Sequence, residues 1–465
     1  MSEKAAFLEG SLLRHIAVMS VTSSVGLMAV FAVDFVDMIF IAMLGKAELA
    51  AAIGYAGAIL FFTGSFGIGM AIACGALVAR ALGAGNADLA RQSASSALAL
   101  GCLFGACFAA LVWTYVPELV ALLGAEGETQ VLAVHYMRII LPSLPLLLIG
   151  MVGGAILRAH GDARRSMNVL ILAGLVNAVL DPILIFGLDL ELTGAALASV
   201  AARVAMAVLV INAIKRHHDG VAIPEAAALA RDFRPVFAIA LPAILTQLAT
   251  PVGQAYVTRA MAEYGEEAVA GMAIVGRLTP VAFAIIFALS GAVGPIIGQN
   301  AGAGDNARVR KAFTEALLFT LGVTVIVSLA LFLLREPLAW LFELDDGSIA
   351  RTLVFLFAGP LSLLWFFNGA LFVANAAFNN LGHPFYSTVT NWGRHTLGTI
   401  PPVMLGAALL GAPGVLIGQA LGGVVFALIA VLMARRVIAQ ADTVPIEREP
   451  FAREARLLRL FHLRR

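Results

Sequence analysis

Four side chains carry oxygen atoms into stretches of this sequence that are otherwise apolar. In "FAVDFVDMIF" (residues 31–40) Asp34 and Asp37 stand three apart, and in "LVNAVLDPILIF" (175–186) Asn177 and Asp181 stand four apart. Either spacing puts both side chains on one face of a helix, within mutual reach. Pro182 follows Asp181 and has no N–H to donate, so the carbonyl of Ala178 is released one turn earlier beside the same face. A carboxylate, an amide oxygen and a free carbonyl are hard ligands of the kind that suit a small hard cation or a proton. Ser199 in "GAALASVAARV" adds a hydroxyl, and Asp37 a second carboxylate, if the fold brings these segments together. A purely structural role is the competing reading: Asn177 and Asp181 would bond to each other at a kink, or Arg203 would take Asp181 as an ion pair. Two carboxylates with no basic partner fixed by the sequence favour the functional reading.

Those residues need elements to hold them, and composition says where the elements lie. Of 465 residues, 61% are hydrophobic and only 13% charged, which marks an integral membrane protein rather than a water-soluble globule. The net charge of +1 implies no nucleic-acid partner. Cys74, Cys102 and Cys107 all fall in apolar runs and form neither a disulfide framework nor a metal-binding spacing. No nucleophile, phosphate-binding loop or metal signature is present, so neither an enzyme nor ATP hydrolysis is expected, and no cofactor. The mixed-charge start runs into the first apolar stretch without a cleavage pattern, and that span is expected to serve as its own targeting signal.

Stretches long enough to cross about 30 Å of hydrocarbon as helices lie near 15–43, 50–79, 93–115, 131–157, 167–188, 193–214, 235–262, 268–297, 312–334, 350–377, 386–409 and 413–434. The expectation is twelve transmembrane helices in an all-α integral membrane protein, because every backbone polar group must be satisfied within the bilayer. Connections after even-numbered spans hold Arg80, Arg158, Arg231, Arg308 and other basic residues, whereas the odd-numbered ones hold only Lys46, Arg335 and Arg351. The positive-inside rule then puts both termini in the cytoplasm.

The chain also repeats itself at an offset of about 220 residues: "LGAGNADLAR" at 82–91 matches "AGAGDNARVR" at 301–310, and "GAALAS" at 194–199 matches "GVLIGQ" at 414–419. Six spans per copy is an even number, so the copies share one orientation and are expected as two lobes related by a pseudo-two-fold along the membrane normal. Residues 1–220 would form the first lobe, 221–436 the second, and 437–465 a basic cytoplasmic tail read as a short amphipathic helix on the inner leaflet. Two such lobes around a cleft is a layout for alternating access. Through the offset Asp34 falls near Gln254, Asp37 near Val257, Asn177 near Gly398 and Asp181 near Pro402. The carboxylates therefore belong to the first lobe alone.

Taken together, "FVDMIFIAMLGKAELAA", the "LGAGN" turn, "LRAHGDARRSMNVLILAGLVNAVLDPILIFGL" and "GAALAS" resemble the multidrug and toxic compound extrusion family of secondary transporters, over about residues 14–435. The resemblance implies cation-coupled efflux of organic, often cationic, amphiphiles, driven by inward H+ or Na+, by a monomer in a bacterial inner membrane. It implies a coupling-cation site at Asp37, Asn177, Asp181 and Ser199, where the family often has Thr at the last position. The chain lacks acidic residues on its seventh and tenth spans, which looks most like the DNA-damage-inducible branch and leaves a second-lobe cation site unsupported. No proline stands in the first span, so a proline-hinged bend there is not expected.

Asp34 is a further candidate, at the wall of the substrate cavity. Met28, Phe62, Phe283 and Phe367 are possible substrate contacts. Arg259, Arg277 and Arg394 keep alternatives open, chiefly a flippase of lipid-linked sugars with a basic cavity. A non-transporting scaffold or sensor would explain the repeat but not the one-sided carboxylates.

Overall fold

The computed structural model describes residues 5–218 and 220–441, so the expected tail helix beyond residue 441 lies outside the described residues. Every described element is a helix: α1 (Leu12–Met43), α2 (Ala47–Gly83), α3 (Ala87–Thr114), α4 (Val116–Leu122), α5 (Gly127–Ile140), α6 (Leu144–Ala159), α7 (Ala163–Pro182), α8 (Glu191–His217), α9 (Ala226–Ala262), α10 (Glu266–Ala282), α11 (Ala284–Gly302), α12 (Asn306–Leu341), α13 (Ile349–Leu356), α14 (Trp365–Asn380), α15 (Pro384–His395), α16 (Ile400–Leu410) and α17 (Ala412–Ala441). Single turns of wider or tighter helix join some of these, as at Leu141–Ser143 and Ile183–Gly187.

The repeated glycine turns have a common cause. Gly85 and Gly304 adopt φ of 72° and 76°, a left-handed conformation that costs glycine little and ends the preceding helix. The next residues, Asn86 and Asp305, each accept a backbone N–H three residues on, from Leu89 and Arg308 at 2.9 Å, and so cap the following helix. Asp162 caps α7 in the same way.

Among the described residues, ten helices are long and apolar enough to cross a membrane, or eleven when α13 and α14, bent by 61°, are counted as one span. The sequence expectation was twelve. The shortfall lies at 386–409, where α15 stops at His395 and α16 restarts at Ile400 with Pro401 and Pro402 in its first turn. Prolines fit a helix start but break a helix interior, so this stretch is two short helices. The stretch 268–297 is likewise broken at Phe283, between α10 and α11. α1 is one continuous helix of 32 residues, as the lack of proline leads one to expect.

The chain separates into two compact units. The first contains residues 25–244 with the described residues before Phe7; the second contains 7–24 and the described residues from Leu245 onward. In the first, α2 packs on α6 and α3, and α7 and α5 pack on α8. Small residues let these helices close: a Cβ at Gly150 would stand 2.3 Å from Met206 Cε, and one at Gly153 2.7 Å from Val210. Ile41, Leu49, Met137, Ile140 and Ile185 form its core.

In the second unit, α11 packs on α14 and α16 on α17, around a core that includes Val257, Met261, Leu353 and Phe357. Phe283 belongs to this core, fully buried and stacked on Trp365 at 4.8 Å. It is therefore a packing residue rather than the substrate contact considered above. Buried Phe7 is tied in by its backbone: its N–H donates to Gln299 Oε1 (2.8 Å), and its carbonyl accepts from Asn300 Nδ2 (3.2 Å) and Arg308 Nη2 (2.9 Å).

Candidate functional site

The first-unit carboxylates meet because α1 and α7 can approach closely. A Cβ at Gly26 would stand 3.2 Å from Met167 Cα, and one at Gly174 3.0 Å from Val33 Cγ2, so glycine at both contacts lets the backbones close. One turn further along, Asn177 Nδ2 donates to Asp181 Oδ2 at 2.5 Å and reaches Asp37 Oδ1 and Oδ2 at 3.3 and 3.5 Å. The two carboxyl groups also lie within hydrogen-bonding reach of each other. Asp181 is fully buried, Asn177 is 6% exposed, and Asp181 Oδ1 has no hydrogen-bond donor among the described residues.

This differs in one respect from the sequence reading, which used the Asn177 amide oxygen as a ligand. Carboxylates only accept hydrogen bonds, so the amide turns its N–H toward both of them and acts as a bridge. What remains is a pair of carboxyl groups across two helices, Asp181 buried and Asp37 half-buried, able to hold a proton between them or a small cation on their oxygens. Immediately after Pro182 the helix widens into the Ile183–Gly187 turn, against which the start of α8 is seated: a Cβ at Gly194 would stand 2.7 Å from the Leu184 carbonyl carbon.

Ser199 lies on α8 beside Tyr136, a buried phenol on α5 that also lies near Asp37, Asp181 and Arg203. Tyr136 was missed from sequence, where one aromatic in an apolar run reads as core. Arg203 does not pair with Asp181: its Nη1 donates to the Ile140 carbonyl (3.2 Å) and to Ser143 Oγ (2.9 Å). That removes the ion-pair explanation for Asp181. Asp34 is exposed, one turn before Asp37, and makes no hydrogen bond among the described residues. Arg259 and Arg277 are also exposed.

At the foot of α7, outside the spans, Asp162 accepts from His218 Nε2 at 3.0 Å, from the Arg165 backbone N–H at 3.1 Å and from the Arg165 guanidinium. Burial opposes ionisation there, but these donors outweigh it and hold the Asp162 carboxyl well below the usual carboxylate range. The His218 ring stacks on His160 at 4.6 Å, so the end of α8, the cap of α7 and the end of α6 form one cluster.

The positions corresponding to the carboxylates in the second unit hold none. Val257 is fully buried, and Gly398 is packed where a Cβ would stand 2.8 Å from the Gly422 carbonyl oxygen. Among the described residues no group of three or more His, Cys, Asp or Glu could hold a metal ion.

The MatE family model matches residues 23–183 and 242–401, once in each repeat. The chain is 30% identical over 453 residues to a FAD transporter of Shewanella oneidensis, covering 94% of this chain and 97% of that protein. It is 27% identical to the multidrug export protein MepA of Staphylococcus aureus, over 81% of this chain and 79% of that one. A crystal structure of the Vibrio cholerae MATE transporter VcmN superposes with a TM-score of 0.87 at 23% identity, covering 95% of this chain and 98% of the other. The repeated fold, the many apolar helices and these matches make this chain a multi-pass membrane transporter of the MatE family, the multidrug and toxic compound extrusion proteins.

Proposed function

We propose that the protein is a secondary active exporter in which Asp37 and Asp181 take up the coupling ion, H+ or Na+, with Asn177 bridging them and Ser199 completing the site through Tyr136. The site belongs to a first lobe of residues 1–220, with residues 221–436 forming a second lobe, in a bacterial inner membrane with both termini cytoplasmic. Cargo and ion are linked through the outward-open and inward-open states, and each shifts that balance only as far as its affinity for the two states differs. Asp34, exposed beside the pair, draws cationic amphiphiles to the cavity wall. The observation that carries this reading is the Asp37–Asn177–Asp181 contact across α1 and α7, with Asp181 buried and Arg203 engaged elsewhere.

The test is efflux of a fluorescent organic cation in inverted vesicles, under a proton gradient and then a sodium gradient, for wild type, Asp37→Asn and Asp181→Asn. Loss of ion-driven transport in both well-folded variants is expected, and the gradient that drives the wild type names the ion. Undiminished transport in both would make the carboxylates structural.

A second reading of the cargo is an anionic aromatic amphiphile such as a flavin nucleotide, supported by the 30% identity to a FAD transporter across nearly the whole chain. Competition by FAD against the cationic dye in the same vesicles tests it: inhibition supports the anionic cargo, and its absence at saturating FAD removes it.

A further inference from the structure

We propose that the second unit contains an oxyanion-binding subsite, built from Arg394 and His395 and completed by Thr250, Gln254 and Gln419, that takes the phosphate or carboxylate of an aromatic amphiphile. The proposal deepens the anionic-cargo reading above and rests on it for its role in transport.

Arg394 and His395 end α15, and both are half-buried. From Ile349 to Ala441 the chain has no aspartate or glutamate. Elsewhere in this unit, Glu315 pairs with Lys311 and Glu336 with Arg351, and no described carboxylate pairs with Arg394. A half-buried guanidinium packed among apolar helices and without a counter-charge is costly, and such residues mark substrate or ion paths. Its planar fork of donors matches phosphate and carboxylate geometry.

One polar neighbour reaches the pair directly and others stand a turn away. On α9, Thr250, Gln254 and Thr258 are exposed and recur at intervals of four, a polar stripe along that helix. His395 Nε2 lies 3.5 Å from Thr250 Oγ1, and Gln419 Nε2 donates to Gln254 Oε1 at 3.3 Å. One glycine makes the room: a Cβ at Gly253 would stand 2.5 Å from His395 Nδ1, while the Arg394 guanidinium lies in ordinary contact distance of Gly423 on α17.

The repeat shows that this space is particular to the second unit. Position 253 corresponds to Val33 and position 395 to Gly174, and in the first unit it is Val33 that fills the contact while Gly174 leaves it open. The large and small partners have changed places, and the exchange puts an imidazole where the first unit has none.

The test is equilibrium binding of riboflavin 5′-phosphate and of riboflavin to the purified full chain in nanodiscs, since the two ligands differ only in the phosphate. The wild type is expected to bind the phosphate form about 10- to 100-fold more tightly, as hydrogen bonds to a charged group imply. Arg394→Gln should abolish that preference, Arg394→Lys should keep part of it and His395→Gln reduce it. Should Arg394→Gln not fold, the last two variants carry the test.

Equal affinities in the wild type, or a preference that survives in folded Arg394→Gln, overturns the subsite. Competition by phosphatidic acid in the nanodisc, lost in Arg394→Gln, would support it and make the source a lipid headgroup. Binding is read without a gradient, so failure of dye efflux would count against the transport reading and leave this one standing.

Discussion

Where α1 crosses α7, the first unit joins two carboxyl groups through one bridging amide; where α9 meets α15, the second unit has a glycine, a glutamine, an arginine and a histidine. The same helix-turn glycines and the same caps build both halves, so the scaffold is shared and the charged chemistry is not. The contrast teaches that in a duplicated transporter the informative residues are those that fail to repeat. A residue required by the fold must appear twice, whereas one required by a ligand need appear only once.

The largest effect is expected where the second unit has closed the position that the first unit uses for its amide and carboxylate. A Cβ at Gly422 would stand 1.2 Å from the Gly398 carbonyl oxygen, so Gly422→Val forces backbone apart. A loss above about 3 kcal/mol, or no folded protein, is expected; thermal unfolding in detergent reads it, and a wild-type melting temperature would mean that the two halves are not closed in different ways.

Next comes the exchanged pair. Gly253→Val alone should cost about 1–3 kcal/mol by crowding His395, and His395→Gly in the same chain should recover a coupling of about 0.5–3 kcal/mol. Additive effects in that double-mutant cycle would break the correspondence with Val33 and Gly174.

A smaller effect belongs to the cap of α7, which has no acidic counterpart at His383 in the second unit. Because the Asp162 carboxyl is held below its unfolded value, its contribution is present above the unfolded pKa of about 3.9 and is lost as pH falls below that toward the folded value. Wild type should therefore lose stability on acidification below about pH 4 more steeply than Asp162→Asn, which lacks the charge that His218 and Arg165 bond to and is already weaker by about 1 kcal/mol at neutral pH. Parallel pH profiles for the two proteins would remove the cap from the argument. Smallest is Ser199→Ala, which removes the hydroxyl beside Tyr136 and should cost about 0.5–1.5 kcal/mol with a partial loss of ion-driven efflux; unchanged coupling would take Ser199 out of the site.

Much of this was legible in the sequence because polar residues in apolar runs are rare enough to count, and because a duplication offers each one a control. Asp37, Asn177 and Asp181 were found that way, and they do meet. Tyr136 was not found, since its neighbour Ser199 lies 63 residues away and nothing in either segment signals that they meet. The destination of Arg203 was equally hidden, because carbonyl oxygens such as that of Ile140 are present at every residue and become acceptors only where a helix end exposes them. Hydropathy counted 386–409 as one span because averaging over a window cannot see that Pro401 and Pro402 start a helix rather than continue one. His395 escaped notice because its repeat partner is a glycine, and a missing side chain in one half carries no warning of a functional one in the other.

The exchange at that helix crossing also bears on descent. Val33 with Gly174 and Gly253 with His395 each place one large side chain in one space. Passing from either arrangement to the other by single steps requires a stage with both positions small or both large. Two glycines leave a cavity that a membrane helix pair can tolerate, while valine and histidine together would have to occupy the same volume. Whichever pair is ancestral, the passable route runs through glycine at both positions, and related sequences with two glycines at this crossing are the expected relics of it.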